Sequence, residues 1–146
     1  MKPDEVPLFP IMEAYVVETL SDIDRISEER RERLRSLARF VAVRSRGGQV
    51  AELTFICTHN SRRSHMAQLW AQSAAHYFGV ERVATYSGGT EATAFNPRAV
   101  AAIERAGFAV EVPSEGDNPV YGVKYVDDME PMACFSKIYD QPPNPR

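Results

Sequence analysis

The residues richest in chemistry in this 146-residue chain stand together, as Cys57-Thr58-His59-Asn60-Ser61-Arg62-Arg63-Ser64. The run before them, Val50 to Ile56, is strand-like and becomes fully apolar at its end, as a central parallel strand would. An amphipathic helix follows Ser64, so the loop joins the carboxyl end of a strand to a helix N-terminus. Unpaired backbone N–H groups and the positive end of the helix dipole converge at such a junction and make an anion site. Wrapped around a tetrahedral anion, the loop puts the Cys57 sulfur beneath the central atom and the Arg63 fork on two oxygens. The same field lowers the pKa of Cys57. Free thiols ionise near about 8.5, and thiols at helix N-termini beside cations at roughly 3.5–7.5. Asn60 tolerates the left-handed backbone that a ring-shaped loop needs somewhere. The Ser64 hydroxyl is placed to donate to the thiolate, and Arg62 adds positive charge wherever its side chain turns inward. Cys57 and Arg63 are thus the candidate catalytic pair. Thr58, His59, Asn60, Ser61, Arg62, Arg63 and Ser64 are the candidate oxyanion-binding residues.

The elements that must position this loop are readable around it. Met66, Leu69, Trp70, Ser73, Ala74, Tyr77 and Phe78 mark one face of a helix that stops at Gly79. Arg82 to Ser87 predicts a second strand, with Gly88-Gly89 as a tight turn after it. Asn96 caps a further helix, with Pro97 in its first turn, Gly107 past its end, and Val100, Ile103 and Ala106 facing inward. This β-loop-α-β-loop-α order predicts an α/β fold with a parallel sheet and right-handed crossovers. Upstream, residues 1–10 hold three prolines and read as an extended arm, followed by a short helix from Ile11 to Leu20. Ser21 and Ser27 are cap candidates, Ser21 with Asp24 approximating a capping box. Leu34, Leu37, Ala38 and Val41 predict a helix from about Glu28 to Arg44, ended by Gly47-Gly48. Downstream, Val120 to Val126 and Met132 to Ile138 read as a hairpin. The domain division expected is a helical extension over 1–48 and an α/β domain over 49–146.

Composition narrows the function class. The apolar fraction is 44% and the charged fraction 25%, ordinary for a globular chain. No apolar run reaches the roughly eighteen residues of a membrane span, and the N-terminus lacks a secretory core, so a cytoplasmic address is expected. The net charge of −3 argues against a nucleic-acid binder. Eight of the fourteen arginines lie between Arg25 and Arg46, interleaved with Asp22, Asp24, Glu28, Glu29 and Glu32, and read as ion pairs on a solvated helix. Cys57 and Cys134 are the only cysteines, too few for a disulfide scaffold. Cys134 reads as a small buried hydrophobe. His65 and His76 have no ligand-like constellation around them, and neither a metal nor a cofactor is proposed. Asp127, Asp128 and Asp140 read as turn residues rather than proton donors.

The stretch Phe55-Ile56-Cys57-Thr58-His59-Asn60-Ser61-Arg62-Arg63-Ser64, with Met66-Ala67, resembles the signature loop of low-molecular-weight protein tyrosine phosphatases and of the related thioredoxin-coupled arsenate reductases. Tyr86-Ser87-Gly88-Gly89-Thr90-Glu91-Ala92, with Asn96-Pro97, looks especially like the arsenate reductase branch. The resemblance covers about Leu53 to Gly107. It implies a phosphotyrosine-phosphatase I-like, Rossmann-like domain with Cys57 as nucleophile, Arg63 as the oxyanion-binding arginine, and Asn60 and Ser64 as loop and thiolate support. Three departures stand out. His59 occupies a position where the family usually has Gly, and Arg62 one where it often has a second Cys. The family's late Asp-Pro general acid and its resolving cysteines have no counterpart here. A domain incomplete at its C-terminal side is therefore expected, together with self-association or a complementing C-terminal fragment to cover an open strand edge.

Three functions stay open on these residues. One is phosphomonoester hydrolysis through a cysteinyl-phosphate. Another is arsenate reduction with Cys57 as first nucleophile. The third is an oxyanion-binding module without turnover. Phosphate- or arsenate-type oxyanions, or phosphorylated substrates, are the expected partners.

Overall fold

The computed structural model describes residues 6–111 and 114–146. Two helices come first, α1 over Pro10–Ser21 and α2 over Glu28–Arg46, separated by a 3-10 turn at Ile23–Arg25. Strand β1 (Ala51–Cys57), helix α3 (Arg63–Tyr77), strand β2 (Val83–Gly89) and helix α4 (Pro97–Arg105) follow. Three short strands close the chain: β3 (Ala109–Val110), β4 (Tyr121–Lys124) and β5 (Met132–Cys134). The α/β class is as expected. β1 and β2 pair in parallel from Ala51↔Val83 to Cys57↔Gly89, and Gly89 makes a further parallel bridge to Ile138. β3, β4 and β5 form a separate antiparallel sheet.

One apolar core joins these elements. Leu69 of α3, Val100 and Ile103 of α4, Phe95, Phe108, Val123, Val126 and Cys134 are buried together with Leu8 and Met12. The N-terminal segment is thus part of the same core, and the Phe9 N–H donates to the Tyr125 carbonyl at 3.1 Å. Burying Met12 completely contributes about 1.5–3 kcal/mol. Trp70 packs between Tyr15 and Phe108, with ring centroids 5.1 and 5.0 Å away. By contrast α2 buries no residue. Ser27 caps it by accepting from the Arg30 N–H at 3.3 Å, and Arg33–Glu29 and Arg35–Glu28 pair at 2.6 Å on its solvated side. Its apolar residues Leu34, Leu37 and Val41 line an open groove of about 610 Å³ facing Leu53, Ala71 and Phe78.

Several local expectations are corrected. Ser21 ends α1 with its hydroxyl donating back to the Glu18 carbonyl, so it caps nothing downstream. The buried stripe of α3 is Ser64, His65, Gln68, Leu69, Ser73 and Ala75, whereas Ala74 is exposed and Phe78 is 59% exposed. Polar residues enter that stripe because they find partners: Gln68 Nε2 donates to the Thr85 carbonyl at 2.9 Å, and Ser73 Oγ to that of Leu69 at 2.7 Å. The second run of the hairpin is shorter than read. Phe135 to Ile138 leaves the antiparallel sheet and crosses to the end of β2.

Gly88 and Gly89 are the last residues of β2 and not a turn. A Cβ at Gly89 would lie 2.7 Å from the Asn60 nitrogen, 2.7 Å from the Thr58 carbonyl oxygen and 2.6 Å from that of Glu91. All three are backbone atoms that cannot swing aside. The glycine is required by close approach. Gly89→Ala is expected to destabilise the fold by about 1–3 kcal/mol through forced backbone displacement. Urea unfolding midpoints check this, and an unchanged midpoint would contradict the packing described.

Candidate active site

The end of β1 delivers Cys57 and the start of α3 delivers Arg63, so the five residues between them form a ring above the strand. The carbonyls of this ring are held from outside. Cys57 O accepts from the Thr90 N–H at 3.2 Å, and Thr58 O from the Glu91 N–H at 2.9 Å and from Thr90 Oγ1 at 3.2 Å. His59 O accepts from Ser136 Oγ at 2.7 Å, and Ser61 O from the Asn96 N–H at 2.8 Å. A trans peptide directs its N–H opposite to its C=O. Four outward carbonyls therefore turn the N–H groups of Thr58, His59, Asn60 and Arg62 toward the ring's interior. That interior is a donor-lined cradle for an anion.

Asn60 is the hub. It is fully buried and left-handed, with φ 46°. Its Nδ2 donates to Ser64 Oγ at 2.7 Å, and its Oδ1 accepts the Lys137 N–H at 3.1 Å. Because Ser64 Oγ is already an acceptor from Asn60, its hydrogen is free for Cys57 Sγ, 3.0 Å away. Burial alone would push the Cys57 thiol up. The Ser64 hydroxyl and the backbone N–H groups of Ser64, Ser61 and Asn60 outweigh it and bring the pKa down to about 7. The Cys57 thiol is thus substantially ionised at neutral pH.

His65 lies one residue past Ser64 and is no base. It is fully buried, stacked on Phe95 at 4.1 Å, with Nδ1 3.2 Å from Ser87 Oγ. Burial first, and the nearby Lys137 charge second, pull its pKa to about 3, so it stays neutral. The cleft above Cys57, about 500 Å³, is lined by His59, Ser61, Arg62, Arg63 and Thr93. Arg62 and Arg63 are exposed, and His59 Nε2 sits 3.4 Å from Glu91 Oε2 at the rim. Thr58 is exposed on the loop, its N–H turned in by the Cys57 carbonyl. Asp127 and Asp128 are exposed bends, and Asp140 lines a different hollow with Gln141, Pro142 and Arg146. Cys134 is completely buried, and that burial pushes its thiol up to about 12. Among the described residues, no three His, Cys, Asp or Glu side chains gather in a metal-binding arrangement. No helix among them is long and apolar enough to cross a membrane.

Sequence reasoning missed Thr90, Glu91, Thr93, Asn118, Ser136 and Lys137. Thr90, Glu91, Thr93, Ser136 and Lys137 hydrogen-bond to the loop from distant parts of the chain, and Asn118 holds the Ser136 backbone. The doubled glycine at the end of β2 was the one local hint, since it marks where a second backbone passes close.

Comparison with known proteins is in keeping with this geometry. Residues 52–118 match the family model described as low molecular weight phosphotyrosine protein phosphatase. A protein named arsenate reductase from Bacillus subtilis (strain 168) is 45% identical over 56 residues, which is 38% of this chain and 37% of that protein. The chain thus spans little more than a third of the length of this relative. No solved structure matches the chain.

Two outcomes are expected. The rate of Cys57 alkylation by iodoacetamide rises through a midpoint near the thiol's pKa of about 7, while Cys134 reacts only on unfolding. Ser64→Ala moves the Cys57 midpoint up by about one pH unit, because a hydrogen bond to the charged form is lost. An unmoved midpoint would contradict that contact. The second outcome concerns acid stability. His65 is neutral in the fold down to about pH 3 but protonates near 6.5 when unfolded, so the unfolded chain binds the extra proton between those values. Its contribution is fully present above pH 6.5 and is lost as the pH falls toward 3. Urea midpoints measured from pH 7 to 4 are expected to fall less steeply in His65→Gln than in the parent chain. Equal slopes would show that His65 is not the proton acceptor.

Proposed function

We propose that the chain, whose residues 52–118 match the low molecular weight phosphotyrosine protein phosphatase family model, hydrolyses phosphomonoesters through Cys57. The observation that carries this reading is the Cys57 sulfur lying under a ring of inward N–H groups with an arginine lining the cleft. The Cys57 thiolate attacks phosphorus in line, a P–S bond forms and the P–O bond to the leaving group breaks. The leaving oxygen takes up a proton at the open cleft. Water then attacks phosphorus, the P–S bond breaks, and inorganic phosphate and the thiolate are released. Loop N–H groups and the Arg63 guanidinium stabilise the equatorial oxygens in both steps. Esters with good leaving groups, which depend least on a proton donor, are proposed as the substrates that suit the site best.

A second reading, reduction of arsenate, is favoured by the name of the Bacillus relative and by a cleft lined only with polar and charged residues besides Cys57. In that reaction Cys57 attacks arsenic with loss of water; a further thiol then attacks the Cys57 sulfur, the S–As bond breaks with its electron pair passing to arsenic as arsenite, and a second thiol reduces the disulfide left on Cys57. Cys134 is too deeply buried to be that thiol, so the thiols that complete the reaction are proposed to lie outside the described residues, on a complementing segment or on a separate dithiol. If neither reaction proceeds, the cradle acts as an oxyanion-binding module. A reducing, cytoplasmic compartment suits each case. The free edge of β1, which has no strand beside it among the described residues, is proposed to be covered by a second copy or by a complementing C-terminal fragment.

Assays with an aryl phosphate, and with arsenate plus thioredoxin, test the reading. Cys57→Ser abolishes turnover. Arg63→Ala and Arg63→Lys each lower kcat/KM for the aryl phosphate by roughly 100-fold or more, since Lys keeps the charge and loses the two-pronged geometry. Near-parent activity in Arg63→Lys would exclude the guanidinium fork as the oxyanion contact.

A further inference from the structure

We propose that Ser136 is a positioning residue for the oxyanion cradle: its hydroxyl holds the His59 carbonyl outward and thereby keeps the Asn60 N–H facing the bound anion. The inference rests on the reading of the loop as an oxyanion site, and Ser136 lies outside the matched segment 52–118.

The direction of the Ser136 hydrogen bond follows from its partners. The Thr93 N–H donates to Ser136 Oγ at 2.8 Å, so this oxygen already accepts, and its hydrogen goes to the His59 carbonyl at 2.7 Å. Ser136 itself has no freedom to turn. It is 1% exposed, and Asn118 grips its backbone at both groups, accepting its N–H at 3.1 Å and donating to its carbonyl at 2.8 Å. The next residue continues the attachment: the Lys137 N–H donates to Asn60 Oδ1, and the Lys137 carbonyl accepts the Gly89 N–H at 2.9 Å. A segment 77 residues away in sequence therefore grips the His59–Asn60 peptide unit at its carbonyl and at the adjoining side chain.

This peptide differs from the others in the ring. The carbonyls of Cys57, Thr58 and Ser61 are each held by a main-chain N–H, from Thr90, Glu91 and Asn96, which side-chain substitution does not remove. Of the four outward carbonyls, that of His59 alone is held by side chains without a main-chain donor among the described residues: Ser136 Oγ and a longer contact from Thr93 Oγ1 at 3.4 Å. Backbone strain also bears on this unit. Asn60 is left-handed at φ 46°, and rotating the His59–Asn60 peptide by half a turn would carry that φ into the ordinary negative region. The rotated peptide would aim a carbonyl oxygen at the anion in place of an N–H. Local conformational preference thus favours the wrong orientation, and the Ser136 hydroxyl opposes it.

Ser136→Ala and Asn118→Ala test this in the full chain, with circular dichroism to confirm folding and inorganic phosphate as the probe. The readouts are the pH midpoint of Cys57 alkylation and the phosphate concentration that half-protects Cys57. Ser136→Ala is expected to raise the midpoint by about one pH unit and the half-protecting concentration roughly tenfold, through loss of one N–H to the charged groups. Asn118→Ala, which keeps the hydroxyl and loosens its hold, shifts both in the same direction by less. A folded Ser136→Ala with both readouts unchanged overturns the inference. Where that variant does not fold, Asn118→Ala with both readouts unchanged overturns it. If phosphate fails to protect Cys57 in the parent chain, the oxyanion reading fails and this inference with it. Protection in the parent with no effect of Ser136→Ala removes only the role of Ser136.

Discussion

A planar trans peptide cannot send its C=O and its N–H to the same side, and this constraint organises the loop between Cys57 and Arg63. Anion binding there is decided by where the carbonyls are held. Four of them find donors on the outside, from Thr90, Glu91, Ser136 and Asn96, and the corresponding N–H groups are left to face inward. Unpaired donors converging in a partly buried ring are unfavourable without an acceptor. The Cys57 sulfur accepts from the Asn60 N–H among them, and from the Ser61 and Ser64 N–H groups and the Ser64 hydroxyl, which bring its pKa down to about 7 although burial pushes it the other way.

Much of the rest of the fold serves these outside donors. β2 ends in Gly89 so that the loop backbone can pass within contact of it, while Gly88 leaves room for Tyr139. The crossing segment after β5 reaches the end of β2 at the Gly89–Ile138 bridge and carries Ser136 and Lys137 to the underside of the loop. His65 supplies volume without charge beneath the site, because burial keeps it neutral. A protonated imidazole there would have to be desolvated. The core that fixes these parts includes Leu8 and Met12, so the N-terminal segment contributes to the platform, while α2 lies along it with an apolar groove still open.

The sequence was legible where the determinants are local. Cys57, Asn60, Ser64 and Arg63 sit within one strand-loop-helix, and each carries its reason in its own chemistry. The parallel pairing of β1 with β2 followed from element order, and the Asn96 cap from residue type. Long-range polar contacts left no such trace. Ser136 and Asn118 sit in stretches whose patterns speak only of strand and turn, yet they make the contacts that orient the His59 carbonyl. Gly88-Gly89 was misread because glycine pairs usually signal turns, whereas here the demand is for space. The α3 face was misassigned because Gln68 and Ser73 are buried by virtue of hydrogen bonds that hydrophobic periodicity does not register. Phe78, apolar and on the expected stripe, instead lies at the helix end in the open groove beside α2.

The central claim is that main-chain N–H groups, oriented by their outward carbonyls, form the oxyanion cradle. Amide nitrogen–proton correlation spectra recorded during a phosphate titration address it directly. The cradle predicts saturable downfield proton shifts at Thr58, His59, Asn60 and Arg62, sharing one dissociation constant, with no comparable change along α2. Shifts confined to arginine side chains, or the absence of any saturable shift at these four amides, would contradict it.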